Sequence, residues 1–187
     1  FNLRPALYDL IDYEIEAAKQ NKPAHILIKV NSLEDRDIIR KLYEASQAGV
    51  KIQLIIRGIC CLVPGIKGLS ENIGIVSIVD RFLEHARVFV FHHGGAEKMY
   101  LSSADLMQRN LSFRIETTFP VYDPDLKKEI KDLIDLQLSD NVKARIIDRL
   151  DRNEYRRSTS DIPVRTQLET YFYFKRKSEG DFRSPDV

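Results

Sequence analysis

Residues 77–110 read SIVDRFLEHARVFVFHHGGAEKMYLSSADLMQRN, and this stretch decides the fold. His85 stands just before a β-branched and aromatic run at 87–91. Gly94-Gly95 offers a tight reversal, and residues 98–101 return as a second strand toward Ser102-Ser103. An imidazole at one strand's entrance and a hydroxyl pair at its neighbour's exit meet at one sheet edge. Such an edge can bind a phosphoryl group.

Upstream, Leu7, Leu10, Ile11, Ile15 and Ala18 recur at helical spacing, which predicts an amphipathic helix over 3–20. Residues 24–30 read as a buried strand. Ser32 with Asp35 makes a capping-box-like start to a helix whose inner stripe is Ile38, Ile39 and Leu42, and Gly49 is placed to end it in a left-handed conformation. Residues 51–56 resume as strand. This βαβ rhythm implies a parallel pair, and ligands in such sheets gather beyond the strands' carboxyl ends, where Lys29, Asn31 and Arg57 fall. The loop 60–72, with Pro64, Gly65 and Gly68, is long and polar enough to fold over that edge or to stand idle.

Further strands are expected at 73–78 and 113–121, so the sheet is mixed. Asp123-Pro124 opens a helix that Leu126, Ile130, Leu133, Ile134 and Leu138 carry to 139. Residues 151–161 are polar and read as a linker or extended arm; residues 164–177 regain helical character, with the aromatic run 171–174 expected to pack. The fold class is α/β, a mixed β-sheet flanked by helices, with a C-terminal helical appendage.

Charge decides little. Against 28 acidic residues stand 29 basic ones, a net +1 in 187 residues, so phosphate affinity must come from local clustering rather than a global field. The only cysteines, Cys60 and Cys61, are neighbours whose side chains diverge on an extended chain, which argues against a disulfide framework and for a reducing cytoplasm. No apolar run approaches the roughly 20 residues that span a bilayer. The chain starts with Phe1 and enters a helical pattern almost at once, which reads as a segment of a longer polypeptide.

Phosphoryl chemistry needs cations and donors fixed in advance. Arg57, in IIRG, is a permanent fork of donors at a strand end, matched to phosphate oxygens. A histidine such as His85 can donate, shuttle a proton or attack, because both imidazole protonation states are accessible near neutral pH. Arg87 and Arg114 can extend an electropositive path for a phosphate chain, while Ser102, Ser103 and Asn110 can add neutral hydrogen bonds. Glu84 or Asp105 can orient His85 as an acceptor behind it. His92-His93 lacks an acidic partner at ligand spacing, so a solvated hairpin tip is the better reading than a metal site. The basic and aromatic mixture at 164–177 reads as core rather than as a nucleic-acid surface.

His85-x-Arg87, Ser102-Ser103-Ala104-Asp105, and then Asn110, Arg114 and Glu116 resemble, in degenerate form, one half of a phospholipase-D-type site. VDRFLEHARVFVF followed by KMYLSSADLMQRN more closely resembles the C-terminal part of bacterial polyphosphate kinases that work through a phosphohistidine. LYDLIDYEI, EASQAGVKIQLIIRGICCLVPGIKGLSENI and YDPDLKKEIKDLIDLQLSDNVKAR agree in order, so the resemblance covers roughly residues 3 to 175.

The resemblance implies a phospholipase-D-like C-terminal domain over 1–150, a linker arm and C-terminal helix of the same domain over 151–177, and a disordered tail over 178–187. It implies ATP or ADP and polyphosphate as substrates, with Arg57 and His85 on the nucleotide phosphates. His85 is supporting, because the phosphorylated histidine belongs to a preceding domain. Mg2+ is implied, with its ligands in that domain and none assigned here. Upstream domains of the same polypeptide are the expected partners, in a homo-oligomer in the cytoplasm or peripheral to the inner membrane, and the segment alone is expected to be inactive. Two other classes compete. One is a phospholipase-D-type phosphodiesterase completed by homodimerisation, against which Arg87 counts in place of lysine. The other is a non-catalytic polyanion-binding domain using the basic stretch 152–157.

Overall fold

The computed structural model describes residues 3–157 and 162–180. In chain order the elements are helix α1 (Leu3–Lys19), strand β1 (His25–Val30), helix α2 (Arg36–Gln47), and strands β2 (Lys51–Ile56), β3 (Ile73–Ile78), β4 (Val88–Phe91) and β5 (Lys98–Ser102). There follow helix α3 (Gln108–Ser112), strand β6 (Thr118–Pro120), helix α4 (Pro124–Ser139), strands β7 (Ala144–Ile147) and β8 (Glu154–Tyr155), and helix α5 (Thr166–Ser178). All eight strands form one sheet in the order β6-β5-β4-β1-β2-β3-β7-β8. β1, β2 and β3 are parallel; every other pairing is antiparallel.

Strand alternation divides the apolar side chains between two cores. Ile26, Ile28 and Val30 of β1 face α1 and α2, joined by Ile52, Leu54 and Ile56 of β2 and by Leu7, Ile11, Ile15 and Leu42 of the helices. Leu27 and Ile55 face the other way, with Val88, Val90, Met99 and Ile134 of α4. Burying each such side chain stabilises by about 1.5–3 kcal/mol before chain entropy is counted. The period of two also aims Lys29, Asn31 and Arg57 along the α4 face once the apolar stretch of each strand ends. The carboxyl ends of β1, β2, β3 and β5 and the amino ends of β4 and β7 share one edge, since Lys29 pairs with Val88, Val88 with Leu101, and Ile78 with Ala144.

Local expectations are met in part. Asp35 itself is the N-cap of α2, accepting from the Asp37 and Ile38 amides at 3.1 Å and from Arg4 at 2.5 and 2.7 Å, and Gly49 takes φ +99° after the helix. The helix does not start at Ser32, because Leu33 bridges to Cys60 and Leu106. The loop 60–72 does not close over the sheet edge but lies back on α2, with Val63 N donating to the Tyr43 hydroxyl (2.9 Å) and Gln47 Nε2 to the Gly68 carbonyl (2.9 Å).

Only Thr118–Pro120 of the strand expected over 113–121 pairs with β5; Phe113 and Ile115 stand exposed in the turn after α3. The polar arm contains β8, which pairs with β7, so the sheet is wider than the sequence pattern indicated. Tyr171, Phe172 and Phe174 are exposed, and of that run only Tyr173 reaches inward, its hydroxyl donating to Asp132 at 3.0 Å. The tip His92-His93 is docked rather than solvated. The His93 ring stacks on Tyr13 at 3.8 Å, and the His93 backbone N–H donates to the buried Glu14 carboxylate at 2.6 Å. Helix α5 runs to Ser178, and residues 181–187 of the expected tail lie outside the described residues. No helix among the described residues is long and apolar enough to cross a membrane.

Three buried aspartates fix chain direction where elements meet. Asp140 is fully buried after α4, accepting at one oxygen from the amides of Val142 (2.9 Å), Lys143 (2.6 Å) and Ala144 (2.9 Å) and at the other from Thr166 (2.8 Å). Burial pushes the carboxyls of Asp35, Asp105 and Asp140 up, but the hydrogen bonds each accepts outweigh burial and hold all three below the ordinary range. Each acid therefore ionises more readily folded than unfolded. The stabilisation is complete above the ordinary aspartate pKa of about 3.9 and is lost as pH falls through the depressed values. The urea midpoint should drop steeply below about pH 4, and Asp140→Asn should flatten that drop.

Candidate functional site

Arg57 and His85 meet at the shared edge through a chain of three residues. The Arg57 Nε–H donates to Asn31 Oδ1 at 2.6 Å. Asn31 donates its backbone N–H (2.7 Å) and its side-chain amide (3.1 Å) to Asp105 Oδ1. Arg87 grips the same carboxylate with Nε (3.2 Å) and Nη2 (3.1 Å). Its two terminal nitrogens each lie 3.2 Å from one ring nitrogen of His85. At most one ring nitrogen of a neutral imidazole accepts a proton, so the paired approaches describe a ring lying along the guanidinium rather than two hydrogen bonds. His85 is exposed, Arg57 and Arg87 are half-buried, and Asn31 and Asp105 are buried beneath them.

The strand ends can close this tightly because Gly58 follows Arg57. Its N–H donates to the Asn31 carbonyl at 2.8 Å, and a Cβ there would meet the same oxygen at 2.8 Å. A second cation lies deeper in the cleft lined by Asn31, Ile55, Arg57, Ile78 and Glu84. Lys29 Nζ pairs with Glu84 Oε2 at 2.6 Å and donates to Gln137 Oε1 at 2.7 Å. Burial pushes this ammonium below its ordinary range, and Glu84 opposes the shift. Burial and close pairing leave the Lys29 charge balanced, whereas the three cations Lys29, Arg57 and Arg87 face only Glu84 and Asp105 within the network. The edge therefore carries a local positive excess suited to an anion.

Neither carboxylate touches His85 directly: Asp105 holds Arg87, and Glu84 holds Lys29. Ser102, Ser103 and Asn110 belong to a neighbouring cluster. Ser102 Oγ lies 2.7 Å from Thr118 Oγ1, Ser103 donates to Glu116, and Asn110 Nδ2 donates to Glu116 Oε1 at 2.6 Å. Arg114 is exposed in the turn after α3, outside the Arg57–His85 network. Among the described residues no group of three or more His, Cys, Asp or Glu could hold a metal, and both carboxylates of the network are already matched by cations. Gln137 and Gln167, which converge on Glu84, carry no sequence signal; a glutamine on an amphipathic helix reads as surface.

Residues 1–167 match the family described as polyphosphate kinase C-terminal domain 2. A polyphosphate kinase of Halalkalibacterium halodurans is 51% identical over 97% of this chain, which spans 26% of that relative's length. A crystal structure of polyphosphate kinase from Porphyromonas gingivalis superimposes with a TM-score of 0.93 at 48% identity, covering 96% of this chain and 28% of that one. A phospholipase D family member, Nuc from Salmonella typhimurium, shares the fold with a TM-score of 0.51 at 14% identity, over 72% of this chain and 88% of its own. With its phospholipase-D-like mixed sheet and its match over most of its length, the chain belongs to the polyphosphate kinase family, of which it carries the C-terminal domain 2.

Proposed function

We propose that this chain supplies the nucleotide- and phosphate-binding half of a polyphosphate kinase site, for reversible transfer of the terminal phosphate of ATP to polyphosphate. The observation that carries this reading is the Arg57–Asn31–Asp105–Arg87–His85 chain, which brings both nominated groups to one edge with their donors preset. Arg57 and His85 hold the nucleotide phosphates. Arg87 fixes His85 and adds charge, while Ser102, Ser103, Asn110 and Arg114 line the continuation of the phosphate chain.

In the forward direction the bond between the γ-phosphorus and the β,γ-bridging oxygen of ATP breaks. A bond to a histidine nitrogen in the upstream part of the polypeptide forms; that bond then breaks as a terminal oxygen of polyphosphate attacks. Charge spreads over the equatorial oxygens of the moving group, where preset cations act with no reorganisation. Magnesium is part of this reading, with its ligands in the remainder of the protein. So are homo-oligomerisation, a cytoplasmic location and the division into a domain at 1–150 and an appendage at 151–177.

The phosphodiesterase alternative is weaker. Asp105 pins Arg87 from behind, and the likeness to Nuc is one of fold. The full-length protein given ATP labelled at the γ-phosphate and Mg2+ should form acid-labile phosphoprotein and labelled polyphosphate, and the 187-residue chain alone should form neither. Robust polyphosphate synthesis by the isolated chain, or hydrolysis of a generic phosphodiester in its place, would end the half-site reading.

A further inference from the structure

Residues 79–87, which join β3 to β4 and carry His85, form neither helix nor strand, and Val79, Phe82 and Leu83 are 68%, 63% and 74% exposed. A segment with so little core beneath it opens easily, yet an imidazole that binds phosphate must hold one geometry. Its polar anchors come largely from the start of α5. Arg165 donates from Nε (2.8 Å) and Nη2 (2.7 Å) to the two oxygens of Asp80, a bidentate pair.

Gln167 Oε1 accepts the Phe82 N–H at 2.9 Å while its Nε2 donates to the Phe82 carbonyl at 2.8 Å. One side-chain amide thus occupies both backbone groups, as a neighbouring strand would. The same Nε2 lies 3.2 Å from Glu84 Oε1, whose other oxygen takes Lys29 and Gln137. The start of α5 is itself anchored, because Asp140 accepts the Thr166 N–H at 2.8 Å and the Thr166 hydroxyl donates to the Leu136 carbonyl at 3.1 Å.

We propose that Arg165 and Gln167 are positioning residues that brace the segment 79–87 and set the His85 imidazole toward the phosphate-binding edge. They act on the nucleotide through His85 without touching it. The consequence for turnover rests on the kinase reading above; the brace itself rests on the contacts.

The test is a double-mutant cycle in the full-length kinase, with ATP affinity measured by calorimetry alongside turnover. Gln167→Met keeps the side chain's length and removes its amide; Arg165→Gln removes the fork. Gln167→Met should unfold within about 2 °C of the parent and Arg165→Gln about 2–8 °C below it, since Asp80 is buried, and each should lose about tenfold in ATP affinity and in kcat/KM. Each should cost less than about twofold once His85 is already alanine, because the residue through which it acts is gone. Leu168→Ala, one position along, should change nothing.

Full additivity with His85→Ala would show that the two residues serve the fold alone, and so would a loss of more than about 10 °C in both variants; either result overturns the brace. A kinase sensitive to His85→Ala but indifferent to Gln167→Met and Arg165→Gln overturns the brace and leaves the kinase site standing. Indifference to His85→Ala overturns both.

Discussion

Arg57→Ala in the full-length kinase should lower polyphosphate synthesis from ATP by about 10²-fold or more, the loss typical of removing one preset donor from a developing oxyanion. His85→Ala should remove most of the activity as well. Both losses follow from position: Arg57 is held through Nε by Asn31, which leaves its terminal nitrogens at the edge, and the exposed His85 ring lies along Arg87 beside them. Arg57→Lys should recover little, because an ammonium keeps the charge but lacks the fork that spans two phosphate oxygens. Stability should change by no more than about 1 kcal/mol, since Arg57 contributes one hydrogen bond and its removal opens Asn31 to water. Turnover of Arg57→Ala within twofold of the parent, at unchanged fold, would remove the guanidinium from the site.

The residues at the edge were legible because strand ends announce themselves. HILIKV and KIQLII each give way to a polar residue where the apolar run stops, so Lys29, Asn31 and Arg57 could be assigned to one side of a parallel pair before any coordinates. His85 was legible through the motif around it. Glu84 and Asp105 were readable as acceptors nearby, but not that Glu84 holds Lys29 and Asp105 holds Asn31 and Arg87. Asp105 is 74 residues from Asn31, and Gln137 is 108 from Lys29, separations at which only the topology decides contact.

The short strands β7 and β8 escaped for a different reason. Four and two residues cannot establish a period, and their pairing is imposed by the sheet they extend. The aromatic run of α5 illustrates the converse error. A helix pattern states which face is apolar but not whether anything covers it, and Tyr171, Phe172 and Phe174 stand exposed.

The largest stability loss is expected at Asp105, where the phosphate-binding edge and the fold share one carboxylate. Asp105 accepts from Asn31 and Ser32 on one strand's end and from Arg87 on another, and the Asp105 side chain is buried and that of Arg87 nearly so, at 8% and 11% exposure. Asp105→Ala leaves the Arg87 guanidinium desolvated without a counter-charge and three strand-end donors, the Asn31 N–H and side-chain amide and the Ser32 N–H, without an acceptor. Breaking a buried pair from one side costs about 3–5 kcal/mol. For a chain of this size that lowers the unfolding midpoint by roughly 6–20 °C.

Asp105→Asn keeps the shape and one acceptor oxygen, so its loss should be smaller, about 1–3 kcal/mol. Both variants should nevertheless lose turnover together with Arg57→Ala, because Asn31 positions Arg57 and Arg87 positions His85 only while the carboxylate holds each of them. Urea unfolding of the 187-residue chain and turnover of the full-length kinase separate the two effects. An Asp105→Asn protein that keeps parental activity would show that Arg57 and His85 reach their places independently, and the chain of contacts linking them would then be a consequence of the fold rather than the means of aligning the site.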